Sequence, residues 1–405
     1  MIKLVFRAVL AALSAGLLYL GVCLGRPEFM LWGVYCALGS NLVYALPGRP
    51  VFLLFQISFF FILLAEPGLS ALRGAAWWPE GAAFSPTPLI AMDVSLLAAQ
   101  VGDMLFNRSL GRRGRTRGSQ GGLCDFVRRV SLIFLGLAFC CSIARFYLRY
   151  PLLDQFSALI GAFFCVYLST RPKTGGVYLA IGFYLIPTIP GLFGASEYTF
   201  TLRLLLCVGY LFIRRYAIWQ GLALLLGLPA VLWAVALVRA GTGFSLSWLS
   251  QSFDAYVAQM GRSFEALVRA MPSGMTGGSR ILQAFSDALS PEALLGALSG
   301  ENISVSSGLG PFLADAFADW GYVGVALYSA AAGCCLAAVE WVNDRHYLAF
   351  TFLLMALHGL LALPGSTALA PVEFLLNPMF YLALMLCLLS ALLCRAFSGG
   401  SRRRA

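Results

Sequence analysis

Eight side chains of this 405-residue sequence have the types and spacing for transfer chemistry on an anionic substrate: Asp315, Asp319, His358, Arg145, Arg203, Arg262, Arg269 and Arg280. Asp315 and Asp319 stand four apart, so on a helix they share a face and repel modestly. Beside a membrane such a pair needs a partner or a purpose: a base for a hydroxyl, hydrogen bonds to a sugar, or salt bridges to nearby arginines. The arginines offer a charged, planar, bidentate fork that matches phosphate and carboxylate. Five guanidiniums would bind such an anion and stabilise negative charge on a departing phosphate, while a carboxylate or an imidazole takes a hydroxyl proton. His358, one of two histidines, also fits a hydrogen-bonded packing residue on an apolar helix, and both readings stay open.

The elements that must carry these groups are membrane helices. A chain that is 60% hydrophobic and 11% charged, with a mean hydropathy of +0.82, is excluded from the soluble globular class. Apolar runs long enough for a bilayer core of about 30 Å recur near 4–24, 28–46, 50–66, 86–106, 130–147, 155–170, 176–194, 198–213, 220–239, 317–341, 347–364 and 377–396. The expected fold is therefore an all-α polytopic membrane protein of about twelve spans. It divides into a transmembrane bundle over 1–240 with a basic cytoplasmic loop at 107–129, a large extracytoplasmic loop over 241–310 with short amphipathic helices, and C-terminal spans with a basic tail over 311–405.

Lysine and arginine fix the expected orientation, since short basic loops stay in the cytoplasm. With both termini inside, Lys3, Arg49, the Arg108–Arg117 run, Arg128, Arg129, Arg171, Lys173, Arg214, Arg215 and Arg345 fall on one face. The net charge of +10 is then accounted for by topology and anionic lipid, and nucleic acid is not an expected partner. The arginines left on the outward side are the excess that asks for an anion. Asp93, within a span, either faces a polar interior or pairs with Arg145 or Arg203 to hold the bundle, and both readings stay open. Ten of the 11 cysteines sit in or at the ends of apolar runs, and Cys124 lies in the basic loop. No Cys/His spacing proposes a metal, and no cofactor is expected.

The outer loop has its own pattern. Apolar residues from Leu249 to Met271 recur at spacings of three and four, which predicts an amphipathic helix broken at Gly261. Glu265 and Arg269 have the favourable order for an ion pair. The segment Pro272–Ser279 suits a hinge beside a substrate, and Ser290-Pro291-Glu292 reads as the start of a short helix closed by Gly300.

Three features together resemble the Wzy-type O-antigen and oligosaccharide repeat-unit polymerases of bacterial inner membranes. They are the spans with one large late outer loop, the stretch Gln259-Met-Gly-Arg262-Ser-Phe-Glu-Ala-Leu, and the re-entry Ser306-Ser-Gly-Leu-Gly-Pro-Phe-Leu-Ala-Asp315-Ala-Phe-Ala-Asp319-Trp-Gly321-Tyr-Val-Gly324. The resemblance implies a GT-C-related glycosyltransferase acting without metal at the periplasmic face on undecaprenyl-pyrophosphate-linked repeat units, which serve as donor and acceptor. It also implies membrane lipid, a chain-length regulator and a flippase as partners. Arg203, Arg262, Arg269 and Arg280 match the family's substrate-binding arginines, and His358 stands where relatives and the O-antigen ligases carry a histidine. A ligase would differ only in acceptor, a lipid-linked glycan flippase should carry charges along a central path through both leaflets, and a scaffold would tolerate loss of the arginines.

Overall fold

The computed structural model describes the chain except for residues 1, 47, 111–121, 146, 149, 151–152, 154–155, 158, 190–196, 214–261, 273, 276–279, 289, 291–309, 343–346, 372–377 and 402–405. Among the described residues every regular element is helical. In chain order these are α1 (Ile2–Leu24), α2 (Pro27–Ala45), α3 (Pro50–Phe59), α4 (Ala65–Leu72), α5 (Thr87–Leu110), α6 (Gly122–Ala144), α7 (Ile160–Ser169), α8 (Thr174–Leu185) and α9 (Glu197–Ile213). Then come α10 (262–270), α11 (Arg280–Ala288), α12 (Phe312–Val342), α13 (Tyr347–Ala362) and α14 (Pro378–Ser401).

Six of these helices are long and apolar enough to cross a membrane: Lys3–Leu24, Pro50–Leu72, Thr87–Ser109, Leu123–Ala144, Phe312–Val342 and Tyr347–Gly365. The expected spans at 28–46, 155–170, 176–194, 198–213 and 377–396 fall on α2, α7, α8, α9 and α14, whose described apolar stretches are shorter or less apolar. The expected span at 220–239 lies outside the described residues, as do most of 241–310 and the proposed helix start at Pro291. The basic loop is narrower than 107–129, because α5 runs to Leu110 and α6 starts at Gly122. Cys124 is accordingly a buried helical residue, with its thiol 3.9 Å from the Thr170 carbonyl oxygen.

Burial separates central from peripheral helices. Only 11% of the most apolar stretch of α1 is buried, against 72% in Pro50–Leu72. A helix that leaves Leu4, Phe6, Leu13 and Leu20 exposed needs an apolar solvent around it. The central helix is one continuous rod in which α3 and α4 are joined by a π-helical turn, Phe60–Leu64. Pro67 has no N–H to return to the Leu63 carbonyl, and a wider turn absorbs that missing bond. The Tyr35 hydroxyl donates to the Leu64 carbonyl at 2.6 Å and secures the turn.

α5 and α12 approach each other closely enough for their backbones to touch. A Cβ at Gly102 would collide with the Ala330 carbonyl, and one at Gly333 with the Ala99 carbonyl. Ser329 donates to Ser95 across the same seam at 2.8 Å, and the Cys334 thiol to the Gly102 carbonyl at 3.3 Å. Small residues one turn apart on both helices let the backbones touch, as expected where no hydrophobic force draws helices together in lipid. At the end of the bundle nearest Arg49 the seam is locked by charge. Arg49 reaches Asp103 at 3.8 Å and Glu340 at 3.6 Å, and Glu340 accepts the Val51 N–H at 2.8 Å at the start of α3.

Among the described residues Asp93 pairs with no arginine. It is buried and accepts the Ser14 hydroxyl of α1 at 2.5 Å, so it ties α5 to the peripheral helix. Gly102→Val is expected to lower stability by about 1–3 kcal/mol, read as a fall in Tm of the detergent-solubilised protein. Gly16→Ala, where a Cβ meets nothing within 4 Å, is expected to leave Tm unchanged.

Candidate functional site

The end of the bundle opposite Arg49 gathers the turn after α13, the start of α12, α10 and α11. A 3-10 turn, Leu363–Gly365, closes α13 and brings the Ser366 carbonyl to the Phe312 N–H at 2.8 Å, fixing where α12 begins. Gly365 is confined there, since a Cβ would lie 2.6 Å from Ile62 Cγ2 and 2.9 Å from Ser263 Oγ. α10 seats Phe264 between Trp77 and Trp78, with ring centroids 6.2 and 5.9 Å away. Phe264 and Leu267 are fully buried while Arg262, Ala266, Arg269 and Ala270 are exposed, so the described part of the expected amphipathic stripe is present.

α12 is two helical pieces with a break at Trp320 and Gly321. Gly321 has φ 60° and ψ −144°, a conformation close to glycine-only, and a Cβ there would sit 2.9 Å from the Met275 sulfur. The break separates the short piece bearing Asp315 and Asp319 from the long piece packed on α5. Both aspartates are buried on one face of the short piece, at 3% and 0% exposure, while Trp320, Tyr322 and Val323 are exposed.

The two carboxylates do different things. Asp319 accepts the backbone N–H of Arg280 at 2.7 Å on Oδ1, and those of Ile281 and the Tyr328 hydroxyl at 3.2 Å on Oδ2. A carboxylate on the first two amides of a helix satisfies donors that have no intrahelical partner and complements the helix dipole. Asp319 is thus a cap, supplied from another element, that docks α11 onto α12. Asp315 has one backbone donor, the Gly310 N–H, in place of such a set. Gly310 faces it, with the ideal Cβ position of that glycine 3.7 Å from Oδ1, and Oδ2 is buried with no hydrogen-bond partner among the described residues. Arg280 and Asp319 are the charges acting on it.

The structure therefore brings Asp315, Asp319 and Arg280 together, with Ala270 at the end of α10 touching the same corner through Gly310. Arg269 makes the expected pair with Glu265 at 2.8 Å and also donates to the Glu80 carbonyl at 3.3 Å, so its charge is already partnered. Arg262 is exposed on the same helix. Arg203 and His358 form a second group on α9 and α13. Arg203 lies over the Tyr184 ring at 4.8 Å, donates to the Tyr184 carbonyl at 3.3 Å, and is the charge that acts on His358. Arg145, exposed at the end of α6, donates to Ser157 at 3.3 Å.

Three contributors to this end were not singled out from the sequence: the Trp77–Trp78 pair, Ser263 and Ser366. Trp78 Nε1 and Ser366 Oγ are, like Asp315 Oδ2, buried without a hydrogen-bond partner among the described residues. Two adjacent tryptophans in a polar connection were the available signal.

Asp315→Asn removes no hydrogen bond to Oδ2 and is expected to keep the wild-type Tm. Asp319→Asn turns an acceptor oxygen into a donor facing donors and is expected to cost about 1–3 kcal/mol, seen as a lower Tm and faster proteolysis near Arg280. Equal Tm for the two variants would rule out the capping role. The chain matches no family model, no curated protein and no solved structure.

Proposed function

We propose that this chain is a membrane-embedded glycosyltransferase that polymerises undecaprenyl-pyrophosphate-linked oligosaccharide repeat units at the periplasmic face of the bacterial inner membrane. The supporting observation is Asp315: a nearly fully buried carboxylate with an unpartnered oxygen beside Arg280. A buried carboxylate oxygen without a donor costs free energy unless something outside the chain supplies the donor. A sugar hydroxyl is such a donor.

In the proposed reaction the acceptor hydroxyl gives its proton to Asp315 as its oxygen attacks the anomeric carbon of the donor. The new glycosidic C–O bond forms as the bond from that carbon to the pyrophosphate oxygen breaks. The electron pair departs on the lipid pyrophosphate, whose developing charge meets the guanidiniums of Arg280 and Arg262. Asp319 positions Arg280 through the helix it caps. Arg203 and His358 would hold a more distant part of the glycan, and Arg269 is the weakest candidate because Glu265 already neutralises it. The termini and the basic loop then face the cytoplasm, following the distribution of Arg and Lys.

A lipid-linked glycan transporter is the second reading, favoured by buried polar groups in the other half of the bundle: Asn41, Gln56, Gln100 and Asp103. The two are separated in a strain lacking the gene, with surface glycan run on gels and the lipid-linked pool analysed by mass spectrometry. Polymerisation predicts single repeat units on surface or carrier, restored to a ladder by the wild-type copy. Units trapped on the cytoplasmic leaflet would establish transport instead.

In that strain Asp315→Asn is expected to reduce polymer by about 10²–10⁴-fold, as for loss of a general base, at unchanged protein level. Arg280→Lys is expected to shorten or abolish the ladder, because an ammonium does not replace a bidentate fork, and Arg145→Ala to keep it. A full ladder from Asp315→Asn would remove Asp315 from the chemistry.

A further inference from the structure

The interior between α2, α3 and α5 holds a row of polar groups that the transfer chemistry does not use. Asn41 of α2 donates its Nδ2 to the Leu96 carbonyl at 2.8 Å and to Gln56 Oε1 at 3.1 Å. These bonds fix the orientation of both amides. The Leu96 carbonyl only accepts, so Asn41 must present Nδ2 to it, and Gln56 must then present Oε1 to Asn41. What remains is an acceptor, Asn41 Oδ1, and a donor, Gln56 Nε2, both buried and without a partner among the described residues.

The row continues along α5. Leu96, Gln100 and Asp103 fall at helical spacings of four and three, a stripe about 10 Å long that runs from mid-helix toward the Arg49 end. Gln100 Nε2 and Asp103 Oδ1 are likewise buried and unpartnered. Asp103 also accepts the Tyr44 hydroxyl at 2.5 Å on Oδ2, and Arg49 stands 3.8 Å from that oxygen. All four side chains are at least nine-tenths buried.

We infer that this seam is a binding site for a file of water molecules entering from the Arg49 end. The ligand class follows from the mixture of free donors and acceptors. A metal cation would be repelled by the amide N–H groups of Gln56 and Gln100, and an anion by the Asp103 carboxylate. Water both donates and accepts, and buried water characteristically takes up two to four bonds with otherwise unsatisfied polar groups. The file reaches from Asp103 to the Asn41–Gln56 pair near mid-bundle, and it is independent of the glycan-transfer reading.

The test is X-ray radiolytic footprinting of the full chain in lipid nanodiscs, read by mass spectrometry, because hydroxyl radicals form from waters held next to a side chain. Phe52 is fully buried and packs on Tyr44 with centroids 5.5 Å apart. It is expected to oxidise several-fold faster than Phe163 and Phe164, which are equally buried on α7. The double variant Asn41→Leu/Gln56→Leu is expected to bring Phe52 down to their rate with Tm held or raised. If that variant does not fold, Gln100→Leu, which removes a carboxamide whose Nε2 makes no bond among the described residues, is expected to slow Phe52 oxidation by itself. Wild-type Phe52 oxidising at the rate of Phe163, or a rate unmoved by the variants, would overturn the water file.

Discussion

The backbone contact between α5 and α12 is the constraint on which the other features rest. Two glycines in opposed positions leave no side chain of their own at the crossing, and the backbone of each helix there faces the other's. In hydrocarbon no hydrophobic force draws apolar helices together, so association rests on close packing and interhelical hydrogen bonds. The seam uses both, with Ser95 to Ser329 near its middle. Because α12 cannot slide or rotate against α5, the direction in which it leaves the bundle is set, and so is the position of the short piece beyond Gly321.

That short piece converts a rigid helix into a platform. Without the break, Asp315 and Asp319 would lie on whichever face the long piece dictates. With Gly321 in its left-handed conformation the preceding two turns reorient, and both carboxylates are buried against α11 and the turn after α13. Asp319 then spends its charge on two backbone amides and a tyrosine hydroxyl. The same contact places Arg280 near Asp315. One carboxylate is structural, while the other, four residues away, keeps one oxygen, Oδ2, without a partner among the described residues.

Much of this was legible in the sequence, and what was not has a common cause. Composition and apolar runs were enough for helices and for the buried stripe of α10 at Phe264 and Leu267, because periodicity is a local property. The Glu265–Arg269 pair was legible for the same reason. Hidden were the partners of residues distant in sequence. One reading of Asp93 had it meet an arginine, and it instead meets Ser14, 79 residues away. Nothing local to Asp319 marks it as the cap of a helix 38 residues earlier, and equal spacing made Asp315 and Asp319 look equivalent. Gly102 and Gly333 were two glycines among 42 until the backbones that face them were known. The Wzy-type resemblance took in Asp315 and Asp319 together in one re-entry stretch and did not distinguish their roles.

The two ends of the bundle handle buried charge in opposite ways, and the contrast bears on where chemistry belongs. At the Arg49 end, Asp103 and Glu340 share a guanidinium, a tyrosine hydroxyl and a backbone amide, an arrangement that holds α3, α5 and α12 in register. A solute ligand displacing these partners would break bonds already made, and the carboxylate oxygen left there without a partner among the described residues, Asp103 Oδ1, is the acceptor assigned above to water. At the opposite end Asp315, Ser366 and Trp78 keep buried polar atoms with no hydrogen-bond partner among the described residues, and Arg280, exposed at the start of α11, acts on Asp315. A ligand arriving there gains hydrogen bonds without displacing any that the chain makes for itself. Binding energy is therefore available at that end in a form a substrate can collect, and a hydroxyl meeting Asp315 would meet an acceptor desolvated in advance.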